Sequence, residues 1–221
     1  MLGPLVLSVA ALALPAPSVC FSTDETRAAR GPTLQGDIDG DGRTDVVWTE
    51  AEWLDARHCR ASLHVETAKE TFAVAVEPPW EDGGLFAPPD LAGLVRLDRR
   101  PGLEIALVPW MGASTTFATV YALRAHRLVR LEGPLFGYGG SVMNRSGVDC
   151  ARLRGALVVS TGASFLPTRR RYRVVRRFYA LHGDAFALKF KERYRVREGG
   201  LLRFPELADE VQPFPSCTAV R

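Results

Sequence analysis

The sequence predicts an all-β protein built from three related units, and three observations lead to this prediction. First, apolar and polar residues alternate in short runs, most clearly in residues 188–197, where every second side chain is a cation. A period of two is typical of a half-buried strand. Second, residues 104–114 align without gaps on residues 154–164, with six of eleven positions identical. Third, the connecting segments, such as residues 77–84, are rich in Pro, Gly and Asp, and the sequence has no long amphipathic helical pattern.

The internal similarity divides the chain into three units. A more diverged first copy begins at Asp45, 59 residues before Glu104, and the Tyr-Ala-Leu sequence at Tyr121 recurs at Tyr179. Such self-similarity is typical of repeat architectures. The predicted units are residues 36–95, 96–149 and 150–209, which together form one domain over residues 36–209, followed by a tail at residues 210–221.

The composition is that of an ordinary soluble globular protein. The chain has 221 residues, of which 47% are hydrophobic and 24% are charged; this argues against disorder, collagen and coiled coil. Lys and Arg number 28 against 25 Asp and Glu, so the net charge is +3. That excess is too small to indicate a nucleic-acid-binding protein by itself.

Residues 1–20 are predicted to be a signal peptide, and we expect a secreted or cell-envelope protein. The segment has no charged side chain, and its apolar run over residues 2–14 is too short to span a bilayer, which takes roughly 20 residues. Cleavage after Ala13 or Ser18 satisfies the small-x-small rule. The alternatives are a buried apolar helix, which the prolines in the segment disfavour, and a lipid anchor at Cys20, which follows a poor lipoprotein box.

The four cysteines are predicted to form disulfides, because an even number in an oxidising compartment makes pairing the default. Four cysteines allow three pairings, and the sequence alone leaves them open. We favour Cys20–Cys59 and Cys150–Cys217, since each bond would tie a terminal segment to its nearest unit. The sequence contains no CxxC or Cys/His cluster of the kind that binds zinc.

One loop has the residue types and the spacing of a metal site. Its four carboxylates are Asp37, Asp39, Asp41 and Asp45. Carboxylates at positions one, three, five and nine can surround a single hard cation, with the backbone carbonyl of Arg43 at position seven. Gly42 is expected to supply the positive φ that the chain reversal needs. Because the carboxylates repel one another, binding of the ion and ordering of the loop should be coupled.

The predicted ion is Ca²⁺, since Mg²⁺ usually retains more waters and fewer carboxylates. The loop is not an EF-hand: Trp48 stands at position twelve, where a bidentate Glu is required, and Pro32 lies where a helix should precede the loop. The alternative is an acidic turn that binds no ion.

The Asp-x-Asp-x-Asp-Gly-x-x-Asp loop followed by an apolar strand resembles the FG-GAP repeat, also called VCBS, which forms the blades of integrin α-chain propellers and occurs in many secreted bacterial proteins. Residues 136–142 and 157–164 resemble the Phe-Gly and Gly-Ala-Pro frame of that family. The resemblance covers roughly residues 36–188. It implies antiparallel, blade-like units in a propeller-like fold, and calcium ligation by Asp37, Asp39, Asp41, the Arg43 carbonyl and Asp45.

The other two units depart from this pattern. In the second unit the four ligand positions hold Arg96, Asp98, Arg100 and Glu104, and the third unit has no acidic run. A guanidinium can supply the charge of an ion there but cannot act as a ligand, so we expect one calcium ion. Closed propellers typically have four to eight blades. Three units therefore predict an open or truncated stack, or one completed by oligomerisation.

A basic stretch over residues 168–197 is the second candidate site. Its cations are interleaved with aromatic residues, a composition suited to an anionic glycan, a cell-wall polymer, an acidic protein or a nucleic acid. The candidate ligand-binding residues are Arg171, Arg173, Arg193 and Arg195. The alternative is a solvated strand face whose aromatic residues belong to the core. Secretion disfavours a nucleic-acid partner.

The sequence contains no GxSxG, HExxH or phosphate-binding glycine loop, and its four histidines are scattered. The predicted function is therefore a secreted, calcium-stabilised binding or structural module without catalysis, whose partner is an extracellular protein or an anionic glycan. One alternative is a domain that recognises anionic polymers through the basic strand face. A second alternative is a hydrolase of an unrecognised type.

Overall fold

The computed structural model describes residues 18–20, 28–53, 58–77, 84–85, 89–111, 114–151, 157–208 and 212–220. These residues form an all-β protein with two sheets, neither of them closed, as the sequence predicts for the fold class. Most of the predicted signal segment, up to residue 17, lies outside the described residues. Among the described residues, no helix is long and apolar enough to cross a membrane.

The first sheet has six strands and is built on an antiparallel meander of β2, β3, β4 and β5. The far edge of β4 is shared, because β5 pairs with one part of it and β1 with the other. β6 then pairs with β1 in parallel. The strands are β1 (Ser18–Cys20), β2 (Ala28–Gly36), β3 (Asp45–Trp53), β4 (His58–Glu66), β5 (Thr71–Val76) and β6 (Gly84–Leu85).

The second sheet has ten strands and contains two further antiparallel meanders, β7–β10 and β12–β15. β11 pairs with both β9 and β12, so these two meanders form one continuous sheet. The strands are β7 (Asp90–Val95), β8 (Glu104–Met111), β9 (Thr115–Arg124), β10 (Arg127–Arg130), β11 (Phe136–Gly140), β12 (Asn144–Ala151), β13 (Leu157–Leu166), β14 (Arg171–His182), β15 (Ala185–Val196) and β16 (Thr218–Val220). The three predicted units thus occupy two sheets.

The segments that the sequence aligns fall on corresponding strands of the three meanders. Residues 45–48 and 104–107 lie on β3 and β8, the second strands of the first two meanders. Residues 157–161, which align with residues 107–111, lie on β13, the second strand of the third meander, and the two Tyr-Ala-Leu sequences lie on the third strands, β9 and β14. The predicted unit boundaries lie inside meanders: the first falls between β7 and β8, and the second falls within β12.

Three apolar clusters form the core of the protein. The first packs β3 and β4 against β7–β9, with Val47 and Ile105 fully buried. The second lies between the second and third meanders and centres on Phe136, whose ring meets Tyr179 edge-on. The third covers the outer face of the third meander with two 3-10 turns, Glu198–Arg203 and Pro205–Leu207. A further 3-10 turn, Pro167–Arg169, connects β13 to β14.

The C-terminal tail ties the third meander to the second. The predicted disulfide Cys150–Cys217 is confirmed and joins the tail to β12. Beside it, Phe214 is fully buried in the second cluster, and the amide and hydroxyl of Ser216 donate to Asp149 at 2.7 and 2.6 Å. The tail then pairs as β16 with β7. The side chains of the other predicted pair, Cys20–Cys59, lie outside the described residues, although the backbone places Ser18 opposite Cys59.

Candidate functional site

The aspartate loop joins β2 to β3 and brings three of the four predicted carboxylates together. One side-chain oxygen from each of Asp37, Asp39 and Asp45 lies within 4.8 Å of the other two. Asp45 is the first residue of β3 and is 1% exposed, whereas Asp37 and Asp39 are half-buried. The arrangement therefore has a buried floor and an open mouth, and its three acidic oxygens are the donor type that hard divalent cations prefer.

Hydrogen bonds within the loop hold its curved backbone. Asp37 accepts from the amides of Gly40 at 2.7 Å and Gly42 at 3.2 Å, and Asp39 accepts from the amide of Asp41 at 2.9 Å. Gly40 and Gly42 both have positive φ, +81° and +83°, and the value at Gly42 agrees with the prediction. The loop is thus already folded back on itself around its carboxylates.

Asp45 has one satisfied oxygen and one that accepts nothing. Its Oδ2 accepts from the amides of Ile38 at 2.7 Å and Asp39 at 3.2 Å. Its buried Oδ1 has no hydrogen-bond partner among the described residues. Burial raises the pKa of Asp45 above its usual value, the two amides oppose this shift, and the charges of Asp39 and Asp37 reinforce it. A buried carboxylate oxygen without a donor is costly, and a bound cation would remove that cost.

The second meander contains a close counterpart of this arrangement, between β7 and β8. There Glu104 is 1% exposed and accepts from the amide of Leu97 at 2.8 Å, seven residues earlier, as Asp45 accepts from Ile38. The other oxygen of Glu104 accepts from Arg124 at 3.0 Å, and the same guanidinium nitrogen reaches Asp98 at 3.1 Å. The buried acid of the second loop therefore has a positive partner, whereas the buried acid of the first loop has none among the residues that the structure describes.

This finding corrects the expected source of the positive charge in the second loop. The sequence pattern points to Arg96 and Arg100, but the guanidinium that contacts Glu104 belongs to Arg124 at the end of β9. Arg100 is half exposed, and its acidic partners among the described residues are Asp98, at 3.9 Å, and Asp184, at 3.6 Å. No local spacing could identify Arg124, because it lies 20 residues from Glu104 and is placed by the pairing of β8 with β9.

The carboxylate of Asp41 lies outside the group of three clustered carboxylates. Asp41 accepts from the amide of Arg43 at 2.9 Å and forms a 3.7 Å ion pair with Lys69. Its carboxylate is absent from the group of oxygens within 4.8 Å. Arg43 is exposed. Of the four predicted carboxylates, the structure thus brings together those of Asp37, Asp39 and Asp45.

The first two loops pack directly against each other. The amide of Leu103 donates to the carbonyl of Asp37 at 2.9 Å. A side chain on Gly102, whose φ is +91°, would collide with the carbonyl of Ile38, and one on Gly40 would collide with Pro101. The second loop therefore fixes the backbone from which the carboxylates of the first loop project.

The basic stretch lies on β14 and β15, where three of its four candidate residues line a groove of about 780 Å³. The lining residues are Arg173, Val175, Arg177, Lys191, Arg193, Tyr194 and Arg195. Arg171 is exposed at the start of β14 and does not line the groove. The aromatic residues Tyr172, Phe178 and Tyr179 are buried in the apolar core, as expected if they serve packing.

A polar cluster that the sequence did not single out lies on the first meander. Ser62 Oγ is 2.7 Å from Nε2 of His64, and Glu50 lies 3.4 Å from the same nitrogen. His64 stacks on Trp48, which also carries Arg30 over its ring at 4.1 Å. Burial lowers the pKa of His64, Arg30 lowers it further, and Glu50 opposes both. A Ser-His-acid relay needs serine and acid on opposite ring nitrogens, so this cluster does not form one.

Comparison with protein-family models, with curated proteins and with solved structures found no match to this chain. The geometry of the loops and of the sheet faces therefore carries the functional argument.

Proposed function

We propose that this protein is an extracellular, calcium-stabilised β-repeat module that acts by binding rather than by catalysis. The observation that carries the proposal is the buried Oδ1 of Asp45, which has no hydrogen-bond partner within the described part of the chain and lies beside the carboxylates of Asp37 and Asp39. A divalent cation would satisfy this oxygen and neutralise the mutual repulsion of Asp37, Asp39 and Asp45.

The second loop supports this assignment from within the same molecule. Its buried Glu104 has the same backbone hydrogen bond as Asp45, and there the free oxygen faces the guanidinium of Arg124. The second loop therefore holds a positive charge beside its buried acid, and we propose that Ca²⁺ supplies the corresponding charge in the first loop. Asp41 and the Arg43 carbonyl are the remaining ligands that the FG-GAP resemblance implies.

Three further observations fit the proposal. The three four-stranded meanders, stacked through two apolar clusters, are what an open, propeller-like array of three blades would require. The aligned sequence segments fall on equivalent strands. The Cys150–Cys217 disulfide is compatible with an oxidising, extracellular compartment. In this proposal the ion stabilises the folded first loop and so maintains the surface that the first two loops build together.

Thermal unfolding with calcium and with chelator tests the proposal. Extracellular calcium modules bind with dissociation constants of about 10⁻⁴ to 10⁻³ M, so 10 mM calcium would stabilise the folded state by about 1.4 to 2.7 kcal/mol. For a chain of this size, the Tm should rise by about 3 to 10 °C. Calorimetric titration should give one site per chain.

A matched pair of variants locates the effect. Asp39→Asn removes one charge from the first loop and should abolish the calcium-dependent rise in Tm. Asp98→Asn removes one charge from the corresponding part of the second loop, where Arg124 already provides the positive partner, and should leave the rise intact. An unchanged Tm of the natural protein in calcium, or an equal rise with magnesium, would contradict calcium as the ion.

A further inference from the structure

The basic groove lies on β14 and β15, in the part of the third meander that extends beyond the contact between the third and second meanders. Arg173, Val175 and Arg177 of β14 pair with Arg195, Arg193 and Lys191 of β15, in that order. Directly paired residues project from the same face of a sheet, so five cations share this face in three rows. Rows two residues apart along a strand are separated by roughly 6.7 Å, which makes the charged strip about 13 Å long.

The neighbouring strand β13 presents small residues beside the groove. On β13, Ser160, Gly162 and Ser164 pair with Arg177, Val175 and Arg173 and so lie on the same face. A side chain built on Gly162 would meet no atom within 4 Å. The face is therefore open at Gly162, with the cations of β14 and β15 along one side of it and Ser160 and Ser164 of β13 along the other.

The cations of the groove lack acidic partners. Arg173 lies opposite Arg195, and Arg177 lies opposite Lys191; like charges in such positions destabilise a sheet. None of the five forms an ion pair with an acid among the described residues. Glu192, the acid of the same strand, is turned to the opposite face, where it binds other side chains. The fold thus concentrates positive charge here without neutralising it.

Protection of a sheet edge does not explain this arrangement. β15 is the edge strand of the ten-stranded sheet, and charged residues on an edge strand discourage pairing with other chains. Arg173 and Arg177, however, lie on β14, an interior strand whose two edges are already paired. Their positive charge contributes to the face of the sheet, which points to a ligand that lies across that face.

We propose that this groove binds a linear sulfated polysaccharide. Four of the five cations are arginines, whose planar guanidinium groups pair well with oxyanions such as sulfate. An extended polyanion lying along the strip would neutralise successive rows of cations. Five charges within so short a strip favour a polysaccharide with several sulfates per repeat over one that carries a single carboxylate per sugar.

Two observations favour a polysaccharide over a single-stranded nucleic acid. Recognition of single strands relies on aromatic rings on which bases stack. Of the lining residues only Tyr194 is aromatic, and it turns away, since its ring packs on Phe204 and its hydroxyl donates to Glu192. The exposed ring of Phe190 is stacked on Phe178. The Cys150–Cys217 disulfide also fits a compartment in which polysaccharides are the common polyanions.

The test measures binding of fluorescein-labelled heparin oligosaccharide to the full oxidised chain by fluorescence anisotropy, at about 50 and 200 mM salt. The groove variant is Arg173→Gln/Arg193→Gln/Arg195→Gln. The control variant, Arg99→Gln/Arg127→Gln/Arg203→Gln, removes the same charge from exposed arginines outside the groove. Melting curves of both variants check the fold, and neutralising the groove should leave the Tm unchanged or raise it because like charges are removed.

We expect the natural protein to bind heparin at low salt, with affinity falling as salt rises. The groove variant should lose roughly tenfold or more in affinity and show a shallower salt dependence, whereas the control should stay within about twofold. Absence of binding at low salt would overturn the proposal, as would equal losses in the two variants. Tighter binding of an oligothymidylate than of heparin at the same salt would overturn the choice of polysaccharide.

Discussion

Removing the Cys150–Cys217 disulfide tests how the tail stabilises the stacked meanders. In the variant Cys150→Ala/Cys217→Ala the other contacts of the tail remain available. Phe214 stays in the second apolar cluster, its amide can still donate to the carbonyl of Val148 at 3.1 Å, and Ser216 can still donate to Asp149. We therefore expect the folded state to keep its tail in place, so that the effect arises mainly in the unfolded chain.

The size of the effect follows from the length of chain that the bond closes. The two cysteines are 67 residues apart, and the chain-entropy relation gives a stabilisation of about 4 kcal/mol for a loop of that length at 25 °C. Without the bond, the unfolded chain is also less compact and exposes more surface. The slope of the unfolding free energy against urea concentration should therefore increase.

Urea unfolding followed by tryptophan fluorescence and by circular dichroism measures both quantities. The matched control is Ser216→Ala, which leaves the disulfide intact and removes only the hydroxyl that donates to Asp149 at 2.6 Å. It should cost about 1 to 2 kcal/mol with no change of slope. A loss below about 1 kcal/mol in the cysteine variant would refute the loop-closure reasoning.

Two further predictions concern the paired loops. Gly102→Ala should weaken the calcium-dependent rise in Tm without removing a ligand, because the new side chain would collide with the carbonyl of Ile38. The control is Gly183→Ala, at a glycine that also has a positive φ but is surrounded by open space, and this variant should keep the rise in Tm. Burial raises the pKa of the Glu104 carboxyl in the folded protein above its ordinary value of 4.5. The stability that the protonated carboxyl contributes is therefore fully present below about pH 4.5 and is lost as the pH rises through the pKa of the folded state. The unfolding free energy of Glu104→Gln should therefore increase relative to the natural protein between about pH 4.5 and 7, and an equal difference at both pH values in urea titrations would contradict this.

Patterns confined to a few neighbouring residues predicted the local structure well. The alternation in residues 188–197 falls largely on β15, and the glycine of the aspartate loop has the expected positive φ. The Cys150–Cys217 pairing was also correct. The same spacing rule was less informative about Asp41, because a short loop offers each carboxylate nearby amides as well as an ion, and Asp41 accepts from the amide of Arg43.

Apart from the Cys150–Cys217 disulfide, contacts between distant residues were not predictable from the sequence. The merging of the second and third meanders depends on β11, which pairs with β9 on one side and β12 on the other. The positive partner of Glu104 is Arg124, which the pairing of β8 with β9 brings beside it. Neither feature has a signature in the spacing of residues along the chain.

The sequence by itself determined that the chain forms antiparallel strands and that a tight turn rich in aspartate precedes β3, because period two and tight turns depend on residues that are near one another in the chain. Only the tertiary structure decided that, among the described residues, buried Glu104 has a positive partner and buried Asp45 has none. It also decided which cations remain uncovered on the third meander. Both outcomes depend on which strands lie side by side and which layers pack together, and those choices are made by burial and hydrogen bonding between segments far apart in the chain.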